Sequence, residues 1–258
     1  TMAKTFIDTD VGCDDAVAIL MSLRPSSGLA IVGISTVFGN VHVDQATRNV
    51  GVLLKHSNRG DVKIYKGAAD PILGEFDATK CWKGHGSDGI GGQGLSEVAD
   101  LVQPEEEPAA LALVRAARLF PGQLEILALG PLTNLALAIK LDPCFARNVK
   151  HLTLMGGCEL GKGNSSSMAE FNFHADPEAA REVVAAFRPE RVQVQGPDPS
   201  PTPVSPKVTM VTWECTFDHC LSRDCYDKLV PPQNASPKGD FLAKLCGKLV
   251  QETQEFGF

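Results

Sequence analysis

The stretch Asp8-Thr9-Asp10-Val11-Gly12-Cys13-Asp14-Asp15 constrains this chain more than any other. It places four carboxylates within eight residues, between the β-type segment Lys4-Thr5-Phe6-Ile7 and the apolar, helix-forming run from Ala16 to Leu23. The reading is a strand, a tight turn at Gly12, then a helix. Side chains two apart on a strand share a face, so Asp8 and Asp10 point the same way. Asp14 and Asp15 open the helix, where free N–H groups and the helix dipole favour negative charge. All four can gather at the carboxyl end of one strand, where open α/β sheets bind ligands. A single Asp at a helix start is ordinarily a cap, and Asp14 alone would mean no more. Four converging carboxylates repel and desolvate one another, and a divalent cation removes that penalty. An all-carboxylate set favours a hard ion, Ca²⁺ or Mg²⁺, over zinc.

The rest of the chain alternates strands and helices. Leu29 to Phe38 is a nearly continuous apolar run, hence a buried parallel strand, and it ends at Gly39-Asn40. A helix follows from Val43 to about His56, then a strand at Val62-Lys63-Ile64-Tyr65. Gly74 to Leu95 is a glycine-rich loop. Within it, His85 suits an exposed surface or a site equally well. Pro108 to Leu119 is a helix with Pro at its start, Leu124 to Leu129 a buried strand, and Leu135 to Lys140 a helix after Gly130-Pro131. Leu152 to Met155 is a further strand, and Asp176-Pro177 starts a helix that runs to about Phe187. Six prolines between Arg188 and Pro206 mark an extended or disordered insert. Lys207 to Thr212 resumes as a strand, Phe217 to Leu229 holds one or two short helices, and Asp240 to Glu255 is an amphipathic helix. This rhythm predicts an α/β fold: a mostly parallel open sheet with helices on both faces, Rossmann-like. The 258 residues are expected to form one domain, with 188–206 as its insert.

The net charge of −7 and the lack of a basic run argue against nucleic acid or an anionic membrane as a partner. No apolar stretch reaches the length of a membrane span. The chain opens on its acidic strand rather than on a signal peptide, and its eight scattered cysteines match no usual zinc spacing, so a cytoplasmic setting with free thiols is expected.

Asp8-Thr9-Asp10-x-Gly12-x-Asp14-Asp15-Ala16 closely resembles the signature of the inosine-uridine preferring nucleoside hydrolase family. Further stretches look like family landmarks: Phe38-Gly39-Asn40, Lys83-Gly84-His85-Gly86, Gly130-Pro131-Leu132-Thr133-Asn134, Met155-Gly156-Gly157, Ala169-Glu170-Phe171-Asn172 and Ala175-Asp176-Pro177. They occur in family order across residues 4–187, and more weakly over 207–255. The resemblance implies hydrolysis of the N-glycosidic bond of purine or pyrimidine ribonucleosides to ribose and free base, with bound Ca²⁺ and water as nucleophile. It implies that Asp10, Asp15 and the Leu129 carbonyl ligate the ion, and that Asp10 takes the proton of the attacking water. It places Asp14, Asn40, Asn164, Glu170 and Asn172 on the ribose hydroxyls, Met155 along the sugar, His85 near the base and Asp8 behind the ligands. A homodimer or homotetramer is expected on the same ground.

The sequence departs from the family pattern in two places. The family carries one more metal-binding Asp, with an adjacent His, in a segment that would lie beyond residue 258. Asp218-His219 comes too early to be that pair, so the chain is expected to lack its C-terminal part. The proline-rich insert replaces a short loop. A remnant that binds ribose or nucleoside without turnover is therefore a competing expectation. A haloacid-dehalogenase-like phosphatase using Mg²⁺ is another, resting on Phe6-Ile7-Asp8-Thr9-Asp10, although Asp14-Asp15 follow too soon for it.

Overall fold

The computed structural model describes residues 2–188, 207–220, 222–230 and 236–255. Among these, strands β1 (Ala3–Thr9), β2 (Leu29–Thr36), β3 (Ile64–Lys66), β4 (Leu124–Ala128), β5 (Val149–Met155) and β6 (Lys207–Val211) form one sheet. Its order is β3-β2-β1-β4-β5-β6 and every neighbouring pair is parallel. The order reverses between β1 and β4. The chain winds outward from β1 to β3, then crosses back to lay β4 on the other side of β1. That reversal opens a crevice at the carboxyl ends of β1 and β4.

Helices α1 (Cys13–Ser22), α2 (Val43–His56), α3 (Ala109–Leu119), α4 (Thr133–Leu141), α5 (Phe145–Asn148), α6 (Phe171–Ala175), α7 (Pro177–Ala186), α8 (Trp213–Asp218), α9 (Arg223–Leu229) and α10 (Pro237–Glu255) cover the sheet. Successive strand residues face opposite sides, so a strand buried on both faces is apolar throughout. β1 shows this only at its centre. Phe6 packs with α3, α4 and α7 in one core, and Ile7 packs with α1, α2 and α10 in the other.

The expected elements are present, with shifted ends. Helix α1 begins at Cys13, one residue before Asp14, and α10 at Pro237 rather than Asp240. The Phe217–Leu229 region resolves into two helices, the first starting at Trp213. Two short helices, α5 and α6, were not foreseen, being too short to show a period. The proposed insert, apart from Arg188, falls outside the described residues.

Candidate active site

The crevice is floored by the loop that leaves β1. Asp10 is fully buried there. Its Oδ2 accepts a hydrogen bond from the Asn40 backbone N–H at 2.7 Å, while its Oδ1 has no hydrogen-bond partner. Two glycines make room for this carboxylate. A Cβ on Gly130 would stand 2.8 Å from Oδ1, and one on Gly39 would collide with Oδ2. Val11 follows in the left-handed region at φ 47°, a strained conformation for a β-branched residue. The strain turns the chain sharply between Asp10 and α1.

Asp15 is also buried. Its Oδ1 accepts from Thr9 Oγ1 and its Oδ2 from the Gly12 N–H, both at 2.8 Å. Each oxygen therefore keeps acceptor capacity. Burial pushes Asp10 up to about 8, aided by the charges of Asp14 and Glu170 and opposed by the Asn40 N–H. Burial likewise pushes Asp15 well up, and Asp10 and Asp14 add to it. Asp8 stands apart from this group. Its Oδ1 accepts from Ser35 Oγ and, at 2.8 Å, from Asn134 Nδ2, while its Oδ2 has no partner. Burial raises it to about 7, with those two donors opposing. Of the four carboxylates in the motif, three act on one another, and Glu170 from α6 joins them.

Asp14, Asn40 and His85 meet above Gly12. A Cβ on Gly12 would lie 2.7 Å from Asn40 Nδ2, 2.8 Å from Asp14 Oδ1 and 2.9 Å from His85 Cε1. His85 is buried, and its Nδ1 accepts from the Cys13 backbone N–H at 3.1 Å. Burial holds the imidazole below its ordinary range, against the pull of Asp14 at 3.7 Å. The ring is therefore neutral near pH 7, with its proton on Nε2. The indole of Trp82 stands edge-on to it at 4.9 Å.

The far wall is built at the tips of β4 and β5. Asn172 Nδ2 donates to the carbonyls of Leu129 and Met155, at 2.9 and 3.0 Å, and so staples the two strands together. Glu170 is buried and caps α6. Its Oε1 accepts from Asn172 N, and its Oε2 from Phe173 N and Gly157 N.

Residues 5–257 match the family profile described as inosine-uridine preferring nucleoside hydrolase. The chain belongs to that family. A probable uridine nucleosidase 2 of Oryza sativa subsp. japonica is 41% identical over 180 residues, covering 70% of this chain and 52% of that protein. A non-specific ribonucleoside hydrolase, RihC, of Salmonella agona is 41% identical over 179 residues, covering 69% of this chain and 56% of that protein. The chain thus spans about half the length of the curated relatives it matches. Among solved structures, a plant nucleoside hydrolase superposes with a TM-score of 0.83 at 29% identity, covering 99% of this chain and 73% of the other. An inosine-guanosine nucleoside hydrolase superposes with a TM-score of 0.82 at 32% identity, covering 98% and 74%. The match displaces the phosphatase reading of the first strand.

Among the described residues, no group of three or more His, Cys, Asp and Glu side chains is set to hold a metal by itself. The residues that the family resemblance assigns to the ion within this chain are two carboxylates and a carbonyl, one carboxylate short of the family pattern. The unpartnered Oδ1 of Asp10, the spare capacity of Asp15 and the second lone pair of the Leu129 carbonyl supply an all-oxygen set that fits a hard cation. Asn164 is a predicted residue for which, among the described residues, no contact with the crevice residues is seen. It is exposed in the loop before Glu170, and its backbone N–H bonds to the Ala169 carbonyl.

Three supporting residues were not foreseen. Thr9 holds Asp15, and Trp82 flanks His85. Asn134 bonds Asp8, the Thr36 carbonyl and the Ala68 N–H. Only Asn134 left a trace in the sequence, as a polar side chain opening an otherwise apolar helix.

Proposed function

We propose that this chain hydrolyses the N-glycosidic bond of ribonucleosides, giving ribose and a free base, with Ca²⁺ in the crevice. One observation carries the reading: a fully buried carboxylate oxygen, Asp10 Oδ1, without a hydrogen-bond partner at a sheet's switch point. A buried polar atom in that state is costly unless a ligand completes it.

Asp10, Asp15 and the Leu129 carbonyl would hold the ion. When bound, the cation supplies positive charge that orients a water and favours its deprotonation. Asp10, ionised with the cation in place, would accept that proton. Positive charge develops on the sugar as the glycosidic bond breaks, and Asp14 and Glu170 face it with negative charge. Ribose hydroxyls need paired donors and acceptors. Asn172 has committed its N–H₂ to two carbonyls, which leaves its Oδ1 to accept. Glu170 Oε1 holds one N–H and keeps a free position. Asn40 Nδ2 offers a donor, Met155 lines the sugar side, and Asn164 closes the outer edge. His85, its Nδ1 occupied, presents its Nε2 proton to the departing base. Asp8 supports the floor from behind.

Eight free thiols fit a cytoplasmic setting. No helix of the described residues is long and apolar enough to cross a membrane. A homodimer or homotetramer would cover Leu111, Leu119, Leu137 and Leu141, which α3 and α4 leave exposed.

The test is ribose release from inosine and uridine by the 258-residue chain with Ca²⁺. 2′-Deoxyinosine should be rejected by about 10⁴-fold, because a site that bonds the 2′-hydroxyl is left unpaired without it. No release together with no calcium uptake in calorimetry would refute the proposal. Nucleoside binding without turnover would favour a non-catalytic binding role.

A further inference from the structure

We propose that Asn49, a residue of α2 outside the site, is a positioning residue for His85 and acts through the backbone of the loop spanning 84–92. The proposal rests on the reading of His85 given above. Its evidence is the way that loop is held.

Asn49 is fully buried although it is polar. Its Nδ2 donates to the Asp88 carbonyl at 2.7 Å, and Gln45 Nε2 donates to its Oδ1 at 2.8 Å. The Asp88 carbonyl can only accept, so Nδ2 faces the loop, and the Gln45 bond holds the other end of the amide in place. Asp88 passes the constraint on: its Oδ1 accepts from Ile90 N at 3.0 Å and Gly92 N at 2.8 Å. Between those two residues, Gly91 N donates to the His85 carbonyl at 2.9 Å. A short chain of bonds therefore runs from α2 through Asp88 to the backbone of His85.

The opposite side of the loop is closed by α10. Gly91 has φ +96°, and a Cβ there would collide with the Lys244 carbonyl and lie 3.1 Å from that of Leu245. Ile90 is buried in the same core as Phe241 and Leu245. Gly89, at φ +81°, fits between the Val11 carbonyl and Asn49 Nδ2, 2.8 and 3.2 Å from where its Cβ would be. From α1 the His85 ring receives the Cys13 backbone N–H, and the loop backbone receives the Cys13 thiol, 3.6 Å from the carbonyls of His85 and Gly89. A thiol is a weak donor. Among the described residues, Asn49 is thus the one strong side-chain donor that a neighbouring helix sends to this backbone. A loop so glycine-rich has little rigidity of its own, so its register over the site depends on this anchor.

The experiment compares Asn49→Ala and Gly91→Ala, which disturb the loop from opposite sides, in the full 258-residue chain. Three readouts are followed: amide hydrogen exchange over 84–92, the His85 imidazole resonance, and kcat/KM for a ribonucleoside in the native and His85→Ala backgrounds. Exchange in the loop should rise at least about tenfold with α3 unchanged, and the His85 resonance should move while those of His151 and His174 stay. kcat/KM should fall about 10–100-fold in the native background, and less than about threefold once His85 is Ala. Should Asn49→Ala not fold, Gln45→Ala, which frees the amide to turn, takes its place with a smaller effect in the same direction. Unchanged exchange, an unmoved His85 resonance, or equal losses in both backgrounds would each overturn the proposal. A native chain without turnover would sink the hydrolase reading, and exchange and resonance would still decide the role of Asn49.

Discussion

The floor and the wall of the crevice both bury carboxylates, and they treat them differently. On the floor, Asp10 keeps one oxygen without a partner; the charges of Asp14 and Glu170 add to the effect of burial on it, and those of Asp10 and Asp14 to the effect on Asp15. On the wall, Glu170 is about as buried as Asp15, yet three backbone N–H groups occupy it and oppose the effect of burial. Burial alone therefore does not set a carboxylate's role: Asp10 keeps an oxygen open among the other acids of the floor, whereas Asp8, which also keeps one open, stands apart from them. Backbone donors hold the wall's buried acid at both oxygens, whereas on the floor one oxygen of Asp10 is held by nothing in the protein.

The largest effect should come from Asp10→Asn. It keeps the shape and removes the charge, so turnover should fall by about 10³-fold or more. Calcium should no longer raise the melting temperature. Without metal, at pH 8.5, the same variant should melt higher than the native chain, because native Asp10, raised to about 8, is there ionised and buried without a compensating charge. Differential scanning calorimetry with and without Ca²⁺ checks both signs. A lower metal-free melting temperature would mean that the floor is braced like the wall, and the contrast would fail.

Next in size is the pH dependence of the metal-free chain. Asp8 and Asp10 rise from 3.8 to about 7 and about 8. A carboxyl raised on folding binds its proton more tightly in the folded state. Its contribution to stability is full below the ordinary carboxylate range and is lost as pH rises through about 7 to 8. The metal-free chain should therefore melt lower at pH 8.5 than at pH 5.5. Saturating Ca²⁺ should flatten or reverse that slope, because it binds the ionised form. A flat metal-free profile would remove the electrostatic half of the comparison.

The floor was legible in the sequence and the wall largely was not. Asp10 and Asp15 announce themselves because four carboxylates in eight residues leave few other uses. Strands β2 and β4 show as largely apolar runs because both faces of the sheet are covered. The wall depends on α6, five residues long, whose cap is Glu170. No periodicity reveals so short a helix, and Glu170 and Asn172 emerged only through family resemblance. His85 was ambiguous for a related reason. Its glycine neighbours suit exposure, while its burial comes from Cys13 and Trp82, contacts no local pattern encodes. Asn49 sits in a helix that reads correctly, yet a polar residue turned inward looks like one turned outward until the loop above it is seen.

Glu170→Gln tests the wall directly. One carboxylate oxygen becomes an N–H₂ facing backbone N–H groups, so the variant should lose about 1–3 kcal/mol of stability. Calcium should still raise its melting temperature. Chemical denaturation with and without Ca²⁺ measures both. Its stability change should thus be opposite in sign to that of metal-free Asp10→Asn. Equal signs would show that the two carboxylates do the same job.

The smallest effect belongs to the outer rim, where the loop before Glu170 carries Asn164. Glu214, in the first turn of α8, accepts from Glu159 N at 3.0 Å and Leu160 N at 2.9 Å and so ties that loop down. Those backbone donors, the Glu159 N–H foremost, hold its carboxyl down at about 2, below its ordinary 4.5. Its contribution is present above that ordinary value and fades as pH falls toward 2, so it is constant across the neutral range. Glu214→Gln weakens this tie without touching either carboxylate group of the crevice. KM should rise about threefold and kcat should hold, the pattern of lost uniform binding. The ratio of the two variants' KM values should not vary between pH 6 and 8. A fall in kcat would place the Asn164 loop in the wall, among groups that matter at the transition state, and the boundary between brace and rim would have to be redrawn.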